Sequence, residues 1–523
     1  MKPKGTLLYT ALTFLLSVWT FLPANYAIDP PREIWSHQNR TNIGSAVSDP
    51  IGSNRSEVIL DANGDVIHLW FSRTNSILSK FSSGGGALLW QKEIPVYLRS
   101  IQVADDGNPI VAGRIKVIVE GSERSDFYLA KFAGSSGNLL WEQRHREDRQ
   151  LDDAIDLKLD GANPIIMSLS VDGPTNDWEA VLTKFSGLNG SQLWETELPG
   201  ATTSPFTVST NGTIALCRAN PSDVHITKLL SENGAILWSV VKPDLTNYFE
   251  CRDVVIDQAG NVVFTGRDAW KTSNSYSYRM YTAKFGATDG GLIWERSVFS
   301  PTNANLSFYT FGHRLLALPG GDILALGMRG SENPIDANTP YMVRYAAEDG
   351  AELWAKRYVF SDSPNLPQGN SPYLSRLKMD SADGNLVFGV ASSMYTRTNY
   401  RSATFKISPA TGETVWHLTH TNLYLPSFDY KTALLVLSGQ ERSTLSSVVT
   451  LFRGGPELSI TPINFTDFEI GWSKDYLGWN LQRLTTSLDS SVPAWTTVPG
   501  SESTTTMRLS KELNSGGVFQ LVR

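Results

Sequence analysis

Basic runs are missing from this sequence. Its 523 residues carry 45 Lys and Arg against 52 Asp and Glu, a formal net charge of −7, and no stretch is dense in Lys or Arg. An acidic chain without a cationic footprint has nothing to track a phosphate backbone, which argues against DNA or RNA as a partner. Beyond the N-terminus there is no apolar run long enough to span a bilayer. Helical periodicity is absent from every long segment. Histidines number seven and show no metal-ligand spacing; the closest pair, His417 and His420 in HLTH, lies beside a strand. No G-x-S-x-G, HExxH or P-loop string occurs, so no catalytic residue is nominated. Cysteine is nearly absent too, with only Cys217 and Cys251.

What is present begins with a targeting segment. Lys2 and Lys4 precede the apolar stretch LLYTALTFLLSVWTFL, and Pro23, Ala24 and Ala27 follow. That order reads as a secretory signal over residues 1–27, with cleavage after Ala24 or Ala27; a membrane anchor is the other reading, for which the apolar stretch is short of the ~20 residues that span a bilayer. The mature chain is expected to be exported: secreted, periplasmic or at the cell surface, with no membrane span.

The rest repeats. Trp recurs as Trp90, Trp141, Trp194, Trp238, Trp294, Trp354 and Trp416. Four residues before each stands a glycine: Gly86, Gly137, Gly190, Gly234, Gly290, Gly350, Gly412. Ten residues before each stands a cation: Lys80, Lys131, Lys184, Lys228, Lys284, Arg344, Lys406. The position just before Trp is always Leu, Ile or Val, while the Trp spacing varies from 44 to 62 residues. A constant unit with variable connections reads as a hairpin: a strand such as AKFA, a Gly/Ser/Asn/Asp loop, then LLW or LIW. The glycine supplies a positive φ in that loop. A loop centred five residues before Trp sets the cation opposite the indole, where its stem would lie along the ring; a one-residue change of register would leave it in solvent.

A second hairpin precedes each Trp unit, as in EVILDANGDVIHLWFS and DVVIDQAGNVVFTG. Four strands of about 50 residues, repeated many times, predict an all-β fold, a β-propeller spanning residues 31–455. The fragments at the two ends complement each other. Trp35 has no hairpin before it, and FDYKTALLVLSG with SSVVTLFRGG has no Trp strand after it. The N-terminal strand would close the last blade, giving eight blades; seven is the alternative, with the leftover strands as decoration. The separation of Cys217 and Cys251 fits neighbouring blades, leaving either a disulfide or two buried thiols.

The unit K-F-x(4)-G-x-L-x-W resembles the tryptophan-docking repeat of the PQQ-like, or quinoprotein alcohol dehydrogenase-like, β-propeller superfamily. SPATGETVWHL, with Thr411, Gly412 and Trp416, is the nearest copy of that family's Thr-Gly-x-x-x-Trp hairpin. The resemblance implies a typically eight-bladed ring. In the family's enzymes it also implies a vicinal disulfide over the cofactor and a calcium ion; this chain has no adjacent cysteines. Non-catalytic members are scaffolds, for example in outer-membrane assembly. The leading expectation is therefore an exported binding or scaffold protein with a protein or glycan ligand and no cofactor. The alternative is an enzyme on the same fold, a quinoprotein-type oxidoreductase or a carbohydrate-active hydrolase or lyase.

Residues 456–523 contain short strands between turns, enough for a small β-sandwich resembling fibronectin-III-like modules. Trp472, Trp479 and Trp495 read there as core anchors, with a sugar-binding shelf as the other reading. Two acidic clusters remain. DANGD, with Asp61, Asn63 and Asp65, partly resembles a calcium loop but also suits a tight turn. HREDRQLDD gathers His145, Glu147, Asp148, Asp152 and Asp153, as a solvated loop or, less simply, a metal or acid–base site.

Overall fold

The computed structural model describes residues 32–39, 55–71, 75–119, 122–144, 152–172, 177–198, 205–219, 224–242, 249–271, 276–299, 310–329, 339–358, 373–380, 384–392, 401–421, 423–431, 434–441, 446–453, 459–462, 467–471, 480–484, 495–504, 506–510 and 519–522. The signal segment and residues 145–151 lie outside them, as do Trp472 and Trp479. Among the described residues the regular structure is all strand apart from one 3-10 turn, Ser501–Ser503. No helix there is long and apolar enough to cross a membrane.

The chain is a β-propeller. Seven blades are each built from four consecutive antiparallel strands, and each ends on one of the seven Trp strands. By their first and last described strands they are blade 1 (residues 55–94), blade 2 (97–144), blade 3 (152–198), blade 4 (206–242), blade 5 (250–299), blade 6 (311–357) and blade 7 (373–421). A further four-stranded sheet joins the two ends of the propeller sequence. Its inner strands are Leu423–Lys431, Leu434–Glu441 and Ser446–Arg453, and its outer strand is Arg32–Asn39. In that sheet Trp35 pairs with Leu451; its side chain lies outside the described residues. Inner strand follows inner strand around an axis, and Leu423–Lys431 touches the inner strands of both blade 7 and blade 1. The contiguous blades thus number seven, where eight were expected, and the composite sheet stands between the last and the first.

The fixed positions of the repeat act between blades. In all seven hairpins the cation pairs directly with Trp across the strands, from Lys80 with Trp90 to Lys406 with Trp416. Six of the indoles are buried and Trp354 is half-buried. Each of the first six indole N–H groups donates to a backbone carbonyl in the loop of the next blade. The acceptors are Gly134 (2.9 Å), Gly187 (3.2 Å), Ser231 (2.9 Å), Ala287 (3.1 Å), Ala347 (3.3 Å) and Pro409 (3.1 Å). Trp416 instead packs against Phe428, Tyr430, Leu435 and Leu437 of the composite sheet.

The cation stands opposite the indole of its own hairpin, and its charge has further partners. The register is as read, but the ammonium is buried and reaches the same carbonyl that the Trp uses. Lys131 Nζ lies 2.8 Å from the Gly187 carbonyl and 2.6 Å from Asp106. Lys184 meets the Ser231 carbonyl at 2.8 Å and Asp160 at 2.6 Å. Lys284 meets the Ala347 carbonyl at 2.7 Å and Asp257 at 2.7 Å. A buried ammonium needs a counter-charge and acceptors rather than a ring face. Lys406 does lie over an aromatic ring at 5.1 Å, but the ring is Tyr430 of the next sheet.

The carboxylates come from the first turn of the same blade, and that turn also holds the loop amide. Gly134, Gly187, Ala287 and Ala347 donate their N–H to Asn108, Asn163, Asn261 and Asp322, at 2.7 to 3.0 Å. In blade 7 the loop residue is Pro409, which has no N–H to place. Blade 4 departs from the pattern. Its turn runs Ser209 to Thr213 without a carboxylate, and Lys228 crosses to the Gly260 and Ala287 carbonyls of blade 5 at 2.7 and 3.0 Å. Burial lowers the pKa of Lys228, and Asp257 opposes that shift. At the same blade boundary a disulfide joins Cys217, on the second strand of blade 4, to Cys251, on the inner strand of blade 5.

The repeated glycine has two reasons to be glycine. Gly190 has φ 75°, and a Cβ there would stand 2.7 Å from Cε3 of Trp141. The indoles of the first six blades thus lie against the next blade's loop glycine.

The C-terminal residues form two three-stranded sheets. One orders Ser459–Pro462, Asp467–Gly471 and Thr506–Ser510; the other orders Trp495–Thr497, Asn480–Leu484 and Phe519–Val522.

Two substitutions separate the reasons for glycine. Gly212→Ala, at φ 76° with open space around it, should cost only the backbone term, about 1–2 kcal/mol. Gly190→Ala should cost that plus an overpacking term of about 1–3 kcal/mol, read as a clearly larger fall in denaturant midpoint. Equal falls would remove the indole contact as a cause. Replacing Cys217 with Ala should lower stability by about 2–4 kcal/mol, measured against the oxidised parent.

Candidate functional site

The inner strands surround an axial channel of about 740 Å³. Its wall is charged, and most inner strands carry a β-bulge. Register shifts fall between Leu98 and Ser100, Ala154 and Asp156, Cys251 and Asp253, Gly312 and Arg314, and Leu374 and Leu377. A bulge re-aims the side chains that follow it, and here it turns polar residues of otherwise apolar strands toward the axis. The lining includes Glu57, Asp156, Lys158, Asp253, Arg314 and Arg376.

Three channel-side carboxylates stitch neighbouring inner strands together. Glu57 of blade 1 accepts the Ile101 N–H of blade 2 at 3.2 Å. Asp253 of blade 5 accepts the Leu315 N–H of blade 6 at 2.8 Å and its own neighbour Val254 at 3.0 Å. Asp429 of the composite sheet accepts the Leu60 N–H of blade 1 at 2.7 Å. An inner strand is a sheet edge, and its axis-facing N–H groups need acceptors. Cations accompany these groups: Arg376 on Glu57 (3.3 Å), Lys378 on Asp429, and Lys158 on Asp156 (2.8 Å). Burial raises the pKa of Glu57, with Arg376 and the Ile101 amide pulling it back. Burial raises Asp253 in the same way, against Arg314 and the Leu315 amide. His313 is held well below the usual histidine range by burial, then by Arg314 and Arg252.

The acidic turn DANGD is an Asx turn around a lysine. Asp61 Oδ1 accepts the amides of Asn63 (2.8 Å) and Asp65 (2.9 Å), and its other oxygen lies 2.8 Å from Lys80 Nζ. The ammonium occupies the place the calcium reading gave to a metal. Among the described residues no group of three or more His, Cys, Asp or Glu is arranged to hold a metal ion. His417 is exposed and stacks on Phe405 at 5.8 Å between centroids. Asp152 and Asp153 lie on the inner strand of blade 3, their side chains outside the described residues, as is the Trp495 side chain. The donor set implied for a quinoprotein does not fit this channel. Glu57 and Asp253 already accept backbone N–H groups, Glu250 faces two arginines, and the two cysteines link separate strands.

The channel residues were not singled out from the sequence. The signal was present: charges interrupt otherwise apolar inner strands, as Arg252 and Asp253 do in ECRDVVI and Arg376 and Lys378 do in YLSRLKM. Without the bulges, nothing says that those charges converge.

The family model described as outer membrane protein assembly factor BamB matches residues 125–418, more than half of the chain, and the chain belongs to that family. Solved structures with a similar fold include BamB from Moraxella catarrhalis, at 12% identity and TM-score 0.42, covering 81% of this chain and 100% of that one. The computationally designed Ika8 protein is similar at 11% identity and TM-score 0.46, covering 77% and 97%. The quinohemoprotein alcohol dehydrogenase ADHIIG from Pseudomonas putida HK5 is similar at 10% identity and TM-score 0.41, covering 79% and 78%. No curated protein matches the sequence.

The raised pKa of Glu57 sets a sign. Its folded value lies above the ordinary 4.5, so the folded state holds the proton more tightly than the unfolded chain. Relative to Glu57→Gln, the parent should gain stability as pH falls from neutrality toward 4.5, and no further below it. Denaturation curves of both proteins across that range check this; a difference that is flat or grows the other way contradicts it.

Proposed function

We propose that this chain is an exported, non-catalytic propeller that binds protein partners and serves the assembly of outer-membrane proteins. The family match over residues 125–418 carries the reading. Two features of the structure support it. Channel carboxylates are engaged in holding inner strands in place, an architectural role. Half-exposed apolar pairs recur where the outer strands begin, as Leu88 and Leu89, Leu139 and Leu140, Ile236 and Leu237, and Leu292 and Ile293. Outer strands lie at the ends of their sheets, where a protein chain can approach. The N-terminal signal takes the chain across the inner membrane, and the C-terminal sheets form a small appended β-sandwich.

Deleting the gene in its own host should lower the amount of folded, heat-modifiable β-barrel protein in the outer membrane, and the wild-type gene should restore it. Unchanged barrel levels would overturn the assembly role. Adding PQQ and calcium to the purified protein should leave the cofactor's free absorption spectrum; a bound chromophore would favour the oxidoreductase instead.

A further inference from the structure

The charges of the channel are not evenly compensated. Lys158 is matched by Asp156, Arg376 by Glu57 and Lys378 by Asp429. In blades 5 and 6 the balance fails. Arg252 and Arg267 share a single carboxylate, Glu250, at 2.6 and 2.9 Å. The Nε atoms of both arginines are buried and have no acceptor. Arg314 donates to the His313 carbonyl at 3.0 Å, while both oxygens of its nearby Asp253 are taken by the Leu315 and Val254 amides. Arg252 and Arg314 line the channel, and Arg267 stands beside Glu250 on the second strand of blade 5; the three guanidinium groups thus share two carboxylates, one of which is committed to the backbone.

These cations are held in place and still accessible. Arg252 lies 6.0 Å from the centroid of Phe311, and Arg267 lies 5.2 Å from that of Tyr278. Their side chains remain 35% and 30% exposed. An aromatic bed fixes a guanidinium plane without using its N–H donors. Arginine and aromatic side chains at a concave mouth are the composition of binding hot spots. The excess is local: the chain as a whole carries −7.

We propose that the channel mouth in blades 5 and 6 docks an acidic peptide segment of a protein partner, whose carboxylates are taken by Arg252, Arg267 and Arg314. This rests on the protein-binding reading above and names the chemistry of the partner. A carboxylate matches the planar fork of a guanidinium with two parallel hydrogen bonds. A nucleic acid would need a row of cations to follow its backbone, and one compact cluster on an acidic protein does not supply it.

The test uses the purified mature chain with its disulfide intact and a fluorescent, Asp-rich peptide, followed by anisotropy. The peptide should bind, its Asn counterpart should not, and affinity should fall with salt. Arg252→Gln with Arg267→Gln should weaken binding by about tenfold or more. Glu250→Gln, which removes the competing carboxylate, should tighten it several-fold, a direction that misfolding cannot produce. Equal binding of the Asn peptide, or loss of affinity in Glu250→Gln, overturns the proposal. So does equal competition by an oligonucleotide of the same charge, or by citrate, which would make the mouth a general anion site. If barrel assembly needs the wild-type gene and the acidic peptide does not bind, this inference fails alone.

Discussion

One backbone carbonyl per hairpin loop holds the ring together. It accepts the indole N–H of the preceding blade and, in the first six blades, that blade's cation as well. Two donors on one acceptor, one of them charged, fix both the distance and the tilt between sheets. The loop that offers the carbonyl is itself set by its glycine and by the side chain that takes its N–H. The cation is set by a carboxylate from its own blade. Where all members are present, as between blades 2 and 3, a joint draws on three turns and two blades. Removing one member leaves a buried charge or a buried polar group behind, which costs far more than the bond itself contributes.

Blade 4 is the joint in which one member is missing. Without a turn carboxylate, Lys228 takes two carbonyls of blade 5, and burial lowers its pKa. The only disulfide of the chain lies across the same boundary. A covalent link and a displaced lysine together do there what an ion pair does elsewhere.

The same economy of roles shapes the channel. Inner strands are sheet edges that face one another around an axis, so their free amides need acceptors that a neighbouring blade can supply. Glu57, Asp253 and Asp429 supply them. Their cations accompany them, and the wall becomes charged for architectural reasons. In blades 5 and 6 Arg252, Arg267 and Arg314 share Glu250 and Asp253, and there the wall becomes a candidate for recognition rather than support.

Much of the ring was readable from residues alone. Gly, Trp and the cation at constant offsets define a hairpin, since a turn's geometry depends on neighbours in sequence. The register of Lys80 against Trp90 comes from loop length by the same local logic. The pairing of Trp35 with Leu451 was readable because each end fragment lacked what the other had. What only the tertiary structure decided is where each charge goes. Asp61 and Lys80 are 19 residues apart, Asp257 and Lys284 are 27 apart, and no constant spacing marks such pairs. The Lys ammonium ended on a carbonyl and a carboxylate, and the turn that looked like a calcium loop closed on an ammonium. Hairpins obey spacing, which a sequence displays. Buried charges obey proximity across blades, which exists only after the ring has closed.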